Sequence, residues 1–131
     1  MATGGSTKAK ATAEEIDLLS RLVEAEAGME PYKGKIAVAQ VVLNRVKDHR
    51  FPNTIKAVIY QPHQYESVSR GMLWDRPIKE DSKQAVQDAL NGANIIDNCI
   101  GFWADYLDAS NSLWDLPIKY KIGGHVFTEA Y

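Results

Sequence analysis

One carboxylate in the first third of the chain is placed where it could move a proton. Thr12 and Glu15, just ahead of the run IDLLSRLVEAEAGMEPYKGKIAVAQVVLNRV (Ile16 to Val46), make a capping box, so a helix begins there. At roughly 100° per residue, Ile16, Leu18, Leu19, Leu22 and Val23 gather into one arc that faces the interior, and Glu26 falls near its middle. Glu24, Asp17 and Arg21 project to the other side. For an acid on the buried stripe, in the last turn before Gly28, desolvation and the negative end of the helix both favour the protonated form. Such a group can donate a proton near neutral pH. A structural glutamate that pairs with an arginine or lysine, or caps a loop, fits the same position.

Other chemistry is scarce. His49, His63 and His125 lie far apart, there is no HExxH, and Cys99 is the single cysteine, so neither a metal site nor a disulfide framework is expected. No phosphate loop, dinucleotide fingerprint or nucleophile elbow is present, and no cofactor is expected. From His63 to Pro77, Gln64, Tyr65, Gly71, Trp74 and Arg76 follow no period. Loops this dense in amides and aromatics line sugar sites, and packing aromatics give the same composition. His125 fits either a site or a hydrogen-bonded structural imidazole.

These groups need a scaffold, and 131 residues with 45% hydrophobic and 24% charged side chains suit one globular domain. A formal charge of −2 leaves no basic surplus for nucleic acid. No stretch is apolar and long enough to span a bilayer, and no signal peptide opens the chain. Residues 1–13, small and polar, read as a flexible leader or remnant, with one domain over 14–131.

Gly28, read as a left-handed cap, and Glu30-Pro31 end the first helix. A second helix is expected from about Tyr32 to Lys47; it is apolar almost all round from Ile36 to Leu43 apart from Gln40, as a central helix would be. Asn44 and Arg45 close it as core hydrogen-bonding candidates. Asn53 or Thr54 caps a short segment from Ile55 to Tyr60, and Lys79 to Asn91 returns to helical spacing before Gly92. Ile100 to Leu107 and Ile118 to Phe127 read as strands of a small antiparallel sheet with a bend at Gly123-Gly124. The fold class is α+β, mainly helical. The residues alone suit an acid acting on a neutral sugar polymer, and they also suit a helical binding module.

The series LLSRLVEAEAGMEPYKGKIAVAQVVLNRV, then FPNTIKAVIYQPHQYESV, then GGHVF, resembles the catalytic domain of the bacterial spore-cortex-lytic, cell-wall-hydrolase family, in the same order and similar spacing from Glu15 to Phe127. The resemblance implies a lysozyme-like domain that works as a peptidoglycan lytic transglycosylase in the spore or cell envelope, with glycan strands as partner and no cofactor. Glu26 matches the family's catalytic acid and Glu30 the second glutamate of the same motif. Gln64 and Tyr65 match a Gln-aromatic pair, Trp74 a later aromatic, and His125 a C-terminal Gly-x-His. Gly28-Met29 departs from the family's Arg-Gly, and Ala104 stands where an asparagine is expected. The implied mechanism has Glu26 protonate the oxygen between N-acetylmuramic acid and N-acetylglucosamine. It then accepts a proton from the muramic C6 hydroxyl, leaving a 1,6-anhydro end. A hydrolytic muramidase would need a second carboxylate, with Glu30, Glu66 and Asp75 the nearby candidates. A non-catalytic wall-binding domain would hold glycan through Tyr65, Trp74 and Trp103.

Overall fold

Thr12 opens the first helix as its sequence predicts: its hydroxyl accepts the Glu15 amide at 3.1 Å, and the Glu15 carboxylate takes the Thr12 amide at 3.2 Å. In this computed structural model, which describes residues 10–62 and 64–131, that helix is α1 (Ala13–Ala27). Of the expected leader, residues 1–9 lie outside the described residues, and so does His63. Gly28 closes α1 with right-handed backbone (φ −58°, ψ −30°), not the left-handed cap expected of it. Space explains the glycine, because a Cβ there would sit 2.7 Å from a carboxylate oxygen of Glu24.

Helix α2 (Tyr32–Lys47) is the hub, with every residue from Gly34 to Leu43 buried between its neighbours. Its Val and Ile content would suit a strand, yet side chains on all faces find apolar partners only if the segment is a surrounded helix. Around it pack α1, α3 (Ile55–Ile59) and α5 (Glu80–Leu90). Thr54 is the α3 cap, accepting the Ala57 amide at 3.1 Å. Leu19, Leu22, Val23, Val38, Val41, Val42, Val58, Ile59, Val86 and Phe127 fill the shared interior.

The polar residues of α2 place the second half of the molecule. Gln40 donates to Asn94 Oδ1 at 2.9 Å and to the Asp97 carbonyl at 3.0 Å, and accepts the Ile95 and Ile96 amides. Asn44 donates to the carbonyls of Asp97 and Cys99, and Arg45 to that of Ile100 at 2.6 Å. This ladder satisfies carbonyls and amides of an irregular stretch of backbone that is buried at Ile96, Cys99 and Ile100. It also sets where β1 (Gly101–Ala104) begins.

Strands β1, β2 (Tyr120–Ile122) and β3 (His125–Thr128) form an antiparallel sheet in the order β1-β3-β2. The apolar stretch 118–127 breaks into a hairpin at Gly123, where φ is +58°. Phe102 pairs with Phe127 and Ala104 with His125, which puts these residues on one face, and Trp103 with Val126 on the other. Where sequence predicts an irregular loop through Pro77, there is a single helical turn α4 (Glu66–Ser69) and a 3-10 turn at Met72–Trp74. Elements this short leave no periodic trace. Among the described residues no helix is long and apolar enough to cross a membrane.

Candidate active site

The last turn of α1 delivers Glu26 to the wall of a cavity of about 370 Å³ that opens between α1, α4 and the sheet. Its carboxylate is half-buried, and Ser67 Oγ donates to Glu26 Oε2 at 2.6 Å. Burial pushes the Glu26 acid above the ordinary carboxylate range, the Ser67 bond pulls the other way, and the charge of Glu66 adds to the upward push. The outcome is an acid biased toward its protonated form yet reachable from solvent, which suits alternate giving and taking of one proton.

Gln64, Tyr65 and His125 join Glu26 around the cavity, and Trp103 lines its edge although its side chain belongs to the other face of the sheet. Arg45, reaching from α2, holds the first two of them. It donates to Gln64 Oε1 at 2.9 Å, and its guanidinium lies 4.9 Å from the centre of the Phe51 ring and 5.5 Å from that of Tyr65. It is buried without a carboxylate partner among the described residues. Burial drives the Tyr65 hydroxyl up to about 12, with Arg45 opposing and Glu26 adding. His125 stacks edge-on against Phe102 with ring centres 5.0 Å apart. Burial holds its imidazole below the usual value against the charges of Glu30 and Asp105, so it is neutral at pH 7. Three buried atoms of these residues, Tyr65 OH, Trp103 Nε1 and His125 Nδ1, have no hydrogen-bond partner. Buried polar atoms normally are bonded; Tyr65 and His125 both lean on Phe102, on one face of the sheet, whereas the Trp103 indole packs on Trp114 on the other.

Two residues expected at the site stand outside the cavity. Trp74 is 60% exposed, with the Arg21 guanidinium 4.4 Å above its ring. Glu30 acts one step removed: it accepts the Gly124 amide at 2.7 Å and so fixes the turn that leads into His125. A Cβ at Gly124 would meet the Glu30 carboxylate at 3.1 Å. Glu24 needs a larger correction. Placed by the helical wheel on the solvent side, it is only 4% exposed, because α5 covers that face of α1 as well.

Sequence reasoning missed Ser67, Arg70, Met72, Phe102 and Tyr106, all on the cavity wall, and the hold of Arg45 on Gln64 and Tyr65. Ser67 had one available signal, its position two residues after Tyr65, but without α4 nothing says that it turns toward Glu26. Among the described residues no group of three or more potential ligands could hold a metal ion.

A sequence model of the family described as Cell Wall Hydrolase matches residues 29–128, starting just past Glu26. The chain is 38% identical over 113 residues to a spore cortex-lytic enzyme of Bacillus cereus, covering 86% of this chain and 43% of that protein. It therefore spans about two fifths of the length of such relatives. The solved catalytic domain of the germination-specific lytic transglycosylase SleB from Bacillus anthracis superposes with a TM-score of 0.82 at 33% identity, covering 97% of this chain and 99% of that one. The catalytic domain of the Bacillus cereus SleB protein gives 0.81 at 34% identity, with the same coverage. The helix-and-sheet arrangement is thus the lysozyme-like one of the SleB catalytic domain, and this chain belongs to the cell wall hydrolase family.

Proposed function

We propose that this chain is the catalytic part, over residues 14–131, of a peptidoglycan lytic transglycosylase that acts on spore cortex or cell wall in the envelope. The single observation that carries this reading is Glu26: one half-buried acid, biased toward its protonated form, on the wall of an open cavity. In the first step Glu26 gives its proton to the oxygen linking N-acetylmuramic acid to N-acetylglucosamine, and that bond breaks as positive charge develops at the muramic C1. In the second, Glu26, now a carboxylate, takes the proton of the muramic C6 hydroxyl while that oxygen bonds to C1. The acid is restored and no water is consumed. Ser67 holds the carboxylate through both steps, and its bond favours the charged form that exists between them.

Tyr65, His125 and Gln64 beside Glu26 support a wall suited to a hydroxyl- and amide-rich ligand, with Trp103 reaching the cavity edge from the strand between them. Trp74 enters this reading only as a flanking aromatic, and Glu30 as the support of His125. Germination, named for the Bacillus anthracis relative, is the setting that we infer for this chain too.

Hydrolysis would need a second, fixed carboxylate. Glu66 is the other carboxylate on the cavity wall, but its side chain is 74% exposed and only loosely held by Arg70 at 3.4 Å. Digestion of cortex and vegetative sacculi followed by mass spectrometry tests the assignment. Anhydro-muramic ends are expected; fragments carrying an added water would replace the transglycosylase by a muramidase, and no fragments at all would leave a binding domain.

A further inference from the structure

The buried carboxylate of Glu24 is not accounted for by the chemistry above. It sits two residues before Glu26, in the same last turn of α1, and faces α5. Its Oε1 accepts the Lys79 amide at 3.1 Å and Ser82 Oγ at 2.7 Å. Lys79 is the N-cap residue of α5 and makes no cap of its own, so Glu24 caps α5 from a different helix. The favour is returned. Helix α1 has no basic residue in its last turn, and Lys79 Nζ donates to the Gly28 carbonyl at 2.7 Å while standing 3.6 Å from Glu24 Oε2. The lack of a side chain at Gly28 lets the carboxylate fold under the end of its own helix.

We propose that Glu24 and Lys79 form a reciprocal helix cap that locks the last turn of α1 and thereby positions the Glu26 carboxylate against Ser67. Glu24 is a positioning residue, not a catalytic one. Helix ends fray unless their free backbone groups find partners, and the turn at risk here carries the acid. Held from α5 on one side, the turn presents Glu26 to α4 on the other. Without the lock the Glu26 side chain drifts away from Ser67 and toward water. Other charged or titratable groups around that cavity are Glu66 and Arg70 beside Ser67, Tyr65, Tyr106, Arg45 from α2 and His125 from β3. None of them touches the lock.

The proposal rests on Glu26 being the acid, so its test includes a readout that needs no turnover. In Glu24→Ala, kcat for release of fragments from sacculi is expected to fall about 10- to 100-fold, the scale of a small misplacement of a reacting group, with KM near that of the wild type. Glu24→Gln keeps an oxygen for Lys79 and Ser82 and is expected to recover most of the rate. The Glu26 carboxyl resonance, followed by carbon NMR, is expected to titrate lower in Glu24→Ala, because the burial that raises it is partly lost. Folded Glu24→Ala with wild-type kcat and an unmoved Glu26 titration overturns the proposal. Should Glu24→Ala not fold, Lys79→Met serves, since the Lys79 side chain is half exposed. It is expected to lower kcat and move the same resonance down, and no change in either overturns the proposal equally. If the chain proves inactive on every sacculus, the function proposed above fails, while the NMR titration still decides for or against the lock.

Discussion

Glu24 and Glu26 lie two positions apart in one helix and differ in everything that surrounds them. Glu24 is sealed between α1 and α5 with two hydrogen bonds and an ammonium. Burial works to raise its acid, but the Ser82 bond, the Lys79 amide and the nearby Lys79 and Lys35 charges outweigh it and hold Glu24 below the ordinary range. Glu26 has one hydrogen bond, an open cavity in front of it, and a net push upward. Burial by itself therefore does not make a carboxylate a proton donor. What decides is whether the surroundings complete the charged form, as they do for structural Glu24, or leave it incomplete, as they do for Glu26.

The contrast breaks most visibly in activity. Glu26→Gln is expected to abolish fragment release, a loss of roughly 100- to 10 000-fold for a general acid–base group, with an unchanged circular dichroism spectrum. Retained activity in that variant would erase the distinction between the two acids. Ser67→Ala comes next, with an expected loss of about tenfold from removing one hydrogen bond to a charged group. That bond favours the ionised form, so its removal should also move the basic limb of the pH–rate profile upward.

Stability should order the two residues the opposite way. Glu24→Ala strands the Lys79 amide and the Ser82 hydroxyl, and is expected to cost about 1–3 kcal/mol in a denaturant titration at pH 7. The Glu26 acid is raised in the fold, so its ionisation destabilises the fold as pH rises from the unfolded value through the folded one. Glu26→Gln escapes that loss. Its Tm should exceed that of the wild type at neutral pH, and the gain should vanish below the ordinary carboxylate range; the same gain at acid pH would show that charge is not the cause. The smallest effect belongs to Glu66→Gln, which removes a neighbouring charge and should shift the basic limb slightly downward, the shift shrinking in high salt because Glu66 is exposed.

Much of this was legible beforehand, for local reasons. The capping box at Thr12 and Glu15 starts α1, α2 runs from Tyr32 to Lys47 as its pattern predicts, and the pair Gly123-Gly124 marks the hairpin. Each rests on chemistry within a few residues. The wheel turned Glu26 inward because its neighbours on the arc are strongly apolar, and it misplaced Glu24 because it assumes one exposed face where α1 has neighbours on nearly every side. Trp74 shows the same limit, since an aromatic in a loop does not declare which wall it leans on. Ser67 was out of reach: its meaning depends on a one-turn helix whose direction is set by tertiary packing.

The rungs that α2 extends to residues 94–100 have a practical corollary. Gln40, Asn44 and Arg45 lie within six consecutive positions of one helix, and through them the acid-bearing half of the molecule is stitched to the half that carries Trp103 and His125. A chimera that borrowed the sheet from one relative and the helices from another would have to transplant both sides of this seam together. Otherwise the two walls of the cleft would meet out of alignment, even though neither half had lost a residue of its own.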